Sequence, residues 1–130
     1  MKQIVNTPHA PAPVGAYSQA TVLNGTVYVS GQIAIDPTSG ELVLDDIETE
    51  TERVLENLKA VLEAAGSSLE RVVKCEVFVS DIENFGRINT VYSRYFAAET
   101  APARALVEVA NLPKYVNVEI SCIAGVGGAD

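Results

Sequence analysis

Apolar and polar residues alternate with a period of two in several stretches of this chain, and recur at helical spacing in two others. Their order outlines a fold. The first pair of stretches flanks Asn24-Gly25, the dipeptide favoured in a tight two-residue hairpin turn because both of its residues take positive φ. With that turn, Leu23 faces Thr26, Val22 faces Val27 and Thr21 faces Tyr28. Ala20, Val22, Val27 and Val29 then form a core face, and Gln19, Thr21, Tyr28 and Ser30 a polar one. Asp36-Pro37-Thr38-Ser39-Gly40 is a turn sequence.

Val54, Leu55, Leu58, Val61 and Leu62 recur at helical spacing and predict a helix over 47–65, ended by Gly66. Glu48, Glu50 and Glu52 near its start suit the helix dipole. Residues 71–80 alternate Val73, Cys75, Val77 and Val79 with Lys74, Glu76, Phe78 and Ser80, the pattern of a half-buried strand. Asp81 is positioned to cap a second helix with the apolar stripe Phe85, Ile88, Tyr92, Tyr95 and Phe96, and Asn89 falls near its inner face. Two further strands, over 103–110 and 116–124, read as an antiparallel pair joined by a short loop. Pro8, Pro11 and Pro13 make residues 7–14 an ordered or semi-ordered loop, and residues 125–130 read as a frayed tail.

Two helices among about five strands imply an α+β fold: a single mixed β-sheet with both helices packed on one face. The strands before and after the first helix suit a right-handed parallel crossover. The other sheet face, expected to carry Thr21, Tyr28, Ser30, Phe78, Arg104, Leu106, Glu108, Asn117, Glu119 and Ser121, is too apolar for solvent and too polar for a core. This implies homo-oligomerisation over that face, with clefts at the subunit boundaries.

Composition narrows the picture. The 130 residues suit one domain spanning 1–130, and 48% hydrophobic residues suffice for a core. No apolar run approaches the roughly 20 residues of a membrane span. Met1-Lys2-Gln3-Ile4-Val5 is too short and polar for a signal peptide, so the expectation is a soluble cytoplasmic protein. A net charge of −8, with nine scattered basic residues, argues against nucleic acid as a partner. Cys75, Cys122 and His9 have no metal-ligand spacing. Both cysteines occupy apolar-facing positions and read as small core hydrophobes.

The chemistry that remains centres on Arg104, which opens one apolar strand, and Glu119, which sits in the next. An arginine clamps a small carboxylate with two parallel hydrogen bonds, and a glutamate activates water. The register between the two strands is not fixed by sequence, but matching their mixed faces favours both side chains on one face. On pattern alone, a catalytic pair and a structural cross-strand salt bridge stand level. Taken singly, Tyr17, Ser30 and Asn89 read as structural. Phosphate-loop and nucleophile-elbow motifs are absent.

A set of segments in order carries a resemblance. These are Gly15-Ala16-Tyr17-Ser18-Gln19, Ser30-Gly31-Gln32-Ile33, Asn57 to Gly66, Val77-Phe78-Val79-Ser80-Asp81, Phe85 with Asn89 and Tyr92, Pro102-Ala103-Arg104, and Leu112-Pro113-Lys114 with Val118-Glu119-Ile120. Over nearly its whole length the chain resembles the RidA family of reactive-intermediate deaminases, also called the YjgF family. The resemblance implies a chorismate-mutase-like fold and a homotrimer that closes a central barrel, with active sites between subunits. It also implies hydrolysis of 2-aminoacrylate, 2-iminopropanoate and 2-iminobutanoate, released by PLP-dependent dehydratases, to 2-oxo acids and ammonia. Arg104 then matches the carboxylate-binding arginine and Glu119 the water-handling glutamate, with Tyr17, Ser30, Asn89 and Leu106 lining the substrate pocket. Leu106 stands where some bacterial members have cysteine, which removes a thiol but not the chemistry. No cofactor or metal is expected, because an imine is already electrophilic at carbon. Two other functions stay open: an endoribonuclease that inhibits translation, and a non-enzymatic regulator that binds small carboxylates.

Overall fold

In the computed structural model of this chain, which describes residues 1–127, six strands and two α-helices form the frame. The strands are β1 (Gln3–Val5), β2 (Ala20–Leu23), β3 (Thr26–Gln32), β4 (Val72–Val79), β5 (Ala103–Glu108) and β6 (Val118–Gly125). The helices are α1 (Ile47–Ala64) and α2 (Phe85–Tyr95). The expected fray over 125–127 is not observed: Gly125 ends β6, and the Val126 N–H donates to the Gly25 carbonyl. The rest of that expected tail, 128–130, lies outside the described residues.

The α+β architecture is as the pattern implies, a single mixed sheet with both helices on one face. Its strand order is β1-β2-β3-β6-β4-β5, with β4 and β5 parallel and the other neighbours antiparallel. The hairpin register holds, and Asn24 and Gly25 take φ of 51° and 75°, a geometry most residues resist and glycine adopts freely. Strand β1 escapes the sequence pattern because three residues are too few to show a period. It forms because β2 offers an open edge, along which Gln3 pairs with Val22.

The strands flanking α1, β3 and β4, run parallel in the one sheet, as a crossover requires, with β6 between them. Three expectations need correction. Strands β5 and β6 are not a pair, since β4 lies between them. Val73, expected on the apolar face of β4, is exposed, because the register shifts between Val72 and Lys74 and buries Val72 instead. Asp81 caps not α2 but a short 3-10 turn over Ile82–Asn84, by accepting from the Glu83 N–H.

The core lies between sheet and helices. Leu55, Leu58 and Leu62 of α1 are fully buried against Val27, Val77, Val118 and Ile120. Cutting any of these leucines to alanine costs about 2–5 kcal/mol. Glu50 of α1 is buried in the same layer: its carboxyl oxygens accept from the backbone N–H groups of Asn117 and Val118 and from the Asn117 side-chain amide, at 2.8–3.0 Å. That contact turns Asn117 towards α1 rather than onto the bare face. The helix-free face does carry Thr21, Tyr28, Ser30, Phe78, Glu119 and Ser121. Ile4, Tyr28 and Val107 are exposed there by 59%, 47% and 46%.

Candidate functional site

Arg104 points to the helix side. It lies beside Cys75 in the parallel register of β4 and β5, and Cys75 faces the core. Leu106 and Glu108 follow it onto that side by the period of two, so all three leave the bare face to which the expected β5–β6 pairing assigned them. Leu106 packs against the core, and the Glu108 carboxylate accepts from the Ile82 N–H.

The Arg104 guanidinium donates to Asn89 Oδ1 at 2.9 Å and lies 4.7 Å from the centroid of the Tyr92 ring and 5.5 Å from that of Phe85. Two aromatic faces and an amide fix the orientation of its fork while forming no ion pair with it. Among the described residues no carboxylate makes a salt bridge to Arg104. Burial pushes the Tyr92 hydroxyl upward, so the ring meets the cation as a neutral phenol. Asn89, Tyr92, Ser93, Phe96, Pro102 and Arg104 border an open hollow on this side.

Glu119 lies on the opposite face, directly across from Phe78. It borders a cavity of about 110 Å³ together with Tyr17, Gly31, Gln32 and Lys114. Burial raises its carboxyl above the ordinary 4.5, and apolar walls from Pro11, Val14, Ile33 and Ile35 account for the loss of hydration. Tyr17 is half-exposed at the mouth, and its hydroxyl accepts from the Val14 N–H. Ser30 donates its hydroxyl to the Ser18 carbonyl at 2.6 Å and borders neither hollow.

Within one chain, then, Arg104, Asn89 and Leu106 gather on one side of the sheet, and Tyr17 and Glu119 on the other. Five further residues contribute to these half-sites. Phe85 and Tyr92, which the pattern places in an apolar stripe, flank Arg104. Gln19 falls on the polar hairpin face by alternation, yet its side chain is buried, accepting from the Thr7 N–H and donating to the carbonyls of Thr7, Ala10 and Pro11. This ties down the proline-rich segment that walls the Glu119 cavity. Gly31 and Lys114 complete that cavity, and the turn carrying Lys114 holds both Lys114 and Tyr115 at a φ of 55°. That conformation costs a non-glycine residue about 1–3 kcal/mol. Cys75 and Cys122 are buried directly opposite each other on β4 and β6, and burial raises both thiols, as suits inert core residues. Among the described residues no cluster of His, Cys, Asp and Glu could hold a metal ion, and no helix is long and apolar enough to cross a membrane.

A mixed sheet backed by two helices, with a fixed arginine on one side and a desolvated glutamate on the other, defines the class as the chorismate-mutase-like α+β proteins of the YjgF type. The chain belongs to the RidA/YjgF family: the family model described as Endoribonuclease L-PSP matches residues 7–126. A RutC family protein of Pyrococcus abyssi is 50% identical over 123 residues, covering 95% of this chain and 96% of that one. A 2-iminobutanoate/2-iminopropanoate deaminase of Rattus norvegicus is 45% identical, covering 95% and 90%. The crystal structure of E. coli TdcF with bound serine superposes with a TM-score of 0.90 at 39% identity, covering 96% of this chain and 99% of that one.

Proposed function

We propose that this protein is a 2-iminobutanoate/2-iminopropanoate deaminase that converts imino and enamino acids from dehydratase reactions to 2-oxo acids and ammonia. The observation that carries this reading is the Arg104 guanidinium, oriented by Asn89, Tyr92 and Phe85 and free of any carboxylate partner among the described residues. An arginine held in that way is ready for a small carboxylate ligand. The serine bound by TdcF carries the same α-carboxylate group, and the rat relative bears the name of this activity.

Arg104 and Glu119 stand on opposite sides of one sheet, so one chain does not bring them to one substrate. A homotrimer solves this: Arg104 of one subunit, with Asn89 and Leu106, meets Glu119 and Tyr17 of the next. β5 is an edge strand, and among the described residues its outer backbone groups have no strand partner. A carbonyl near Leu106 can therefore accept from the imine nitrogen. Arg104 holds the carboxylate, and Glu119 takes a proton from water as the new C–O bond forms. The C=N π pair moves to nitrogen, which receives that proton back from Glu119. The carbinolamine hydroxyl then passes its proton through Glu119 to nitrogen as the C–N bond breaks, releasing ammonia and leaving the carbonyl of the 2-oxo acid. Tyr17 closes one side of the pocket, and Ser30 supports it through the Ser18 backbone. The chemistry calls on no cofactor.

The test couples a threonine dehydratase to the protein, in buffer without strong nucleophiles, and follows 2-oxobutanoate. Wild-type protein accelerates its appearance. Arg104→Ala loses two charge-assisted hydrogen bonds of about 1.5–3 kcal/mol each, a fall in kcat/KM of roughly 10²-fold or more. An unaccelerated wild-type reaction overturns the proposal. RNA cleavage that survives Arg104→Ala would instead favour the endoribonuclease activity for which the family model is described.

A further inference from the structure

Gly31 stands where β3 and β6 lose register. Val29 pairs with Cys122 but Gln32 with Ile120, so β3 spends three steps where β6 spends two. The extra residue is a bulge, a device that re-aims side chains beside functional sites. It also explains why Val29 and Gln32 are both buried although an odd number of steps separates them. Of the two residues between them, Gly31 lies over Glu119.

A Cβ built on Gly31 would lie 2.6 Å from Glu119 Oε2, 2.8 Å from Cδ and 3.0 Å from Cγ, and these are its three nearest atoms. No side chain larger than hydrogen fits there while Glu119 keeps its place. We infer that Gly31 is a positioning residue for Glu119: the absent Cβ leaves the space in which the carboxylate rests, beside the Tyr17 cavity. The inference rests on Glu119 acting as the water-handling group of the proposed reaction. The atoms in the way are the far end of one flexible side chain, so a methyl group at position 31 displaces the carboxylate rather than the backbone. The groups that face Glu119 are few. Lys114 and Tyr17 share its cavity, Phe78 lies opposite it on β4, and Glu76 is the next residue along that face of β4.

The experiment reads Glu119 directly. Its side-chain carboxyl carbon is followed by ¹³C NMR through a pH titration, in wild-type protein and in Gly31→Ala. Moved out of its desolvated pocket, Glu119 titrates at lower pH in the variant. In the dehydratase-coupled assay Gly31→Ala lowers kcat by about 10²-fold, the scale of a misplacement near 1 Å, with KM little changed. Gly31→Ala combined with Glu119→Gln is no slower than Glu119→Gln alone, because both changes act through one carboxylate. An unmoved titration midpoint overturns the positioning role whether or not the protein is a deaminase. An inactive wild type overturns the deaminase reading and leaves the titration to decide Gly31. If Gly31→Ala fails to fold, adding Glu119→Ala removes the three obstructing atoms and restores the thermal midpoint. A double variant that melts as low as Gly31→Ala also overturns the role.

Discussion

At the scale of single residues, the protein holds two charged groups in unlike surroundings. Arg104 sits against aromatic faces and an amide, whereas Glu119 sits in a poorly hydrated cavity. Because burial raises Glu119, the folded protein takes up its proton at higher pH than the unfolded chain does. Protonation of Glu119 therefore favours the fold below the unfolded value, and that contribution is lost as pH rises through the folded value. Activity runs the other way, since the base must be ionised. A profile of kcat/KM against pH should show an acid limb with a midpoint above 4.5, and Glu119→Gln should lose that limb along with about 10²–10⁴-fold in rate. A limb retained in Glu119→Gln would assign it to another group. The identity of both residues was legible as an arginine and a glutamate in otherwise apolar strands. Their separation was not, because the side an edge strand presents depends on which neighbour it pairs with.

At the scale of elements, helices and strands are tied by a few buried polar contacts. Glu50 is the clearest. It lies in the first turn of α1, where dipole logic assigns a solvated acid, yet it is fully buried and binds the chain where β6 begins. In Glu50→Gln the amide nitrogen would replace one acceptor and face N–H donors. Urea unfolding should show a loss of about 1–3 kcal/mol or more, the cost of an unsatisfied buried group. Unchanged stability would mean that water or rearrangement satisfies residues 117 and 118. At the exposed contact between the helices, Arg87 grips Glu48 with two bonds of 2.9 and 2.7 Å and holds its carboxyl near 2. Whatever stability that contact supplies is present above the unfolded value and lost only in strong acid.

At the scale of the molecule, the bare sheet face and the divided site belong together. Ile4, Tyr28 and Val107 are large side chains left about half-exposed on this face. Assembly over this face would cover them and could join Arg104 to Glu119. Sedimentation velocity should therefore report a trimer. Val107→Asp, on the exposed side of β5, should dissociate it and abolish deaminase activity while leaving the monomer's circular dichroism intact. A monomeric, active wild type would refute the assembly.

Local pattern determined much of this protein: the Asn24-Gly25 turn, both helices, the alternation of β4 from Cys75 to Val79 and the buried cysteines all follow from periodicity and turn chemistry, which act between residues near in sequence. Resemblance of short segments to the RidA family added the expected roles of Arg104 and Glu119 and the pocket positions Tyr17, Ser30, Asn89 and Leu106. Tertiary structure alone decided that β4 lies between β5 and β6, that β5 therefore presents Arg104 to α2, that Gln19 and Glu50 are buried as ties, and that a glycine faces Glu119. Each of these depends on which distant segments become neighbours. A period of two says that residues alternate between faces, but only the partner strand says which face is which.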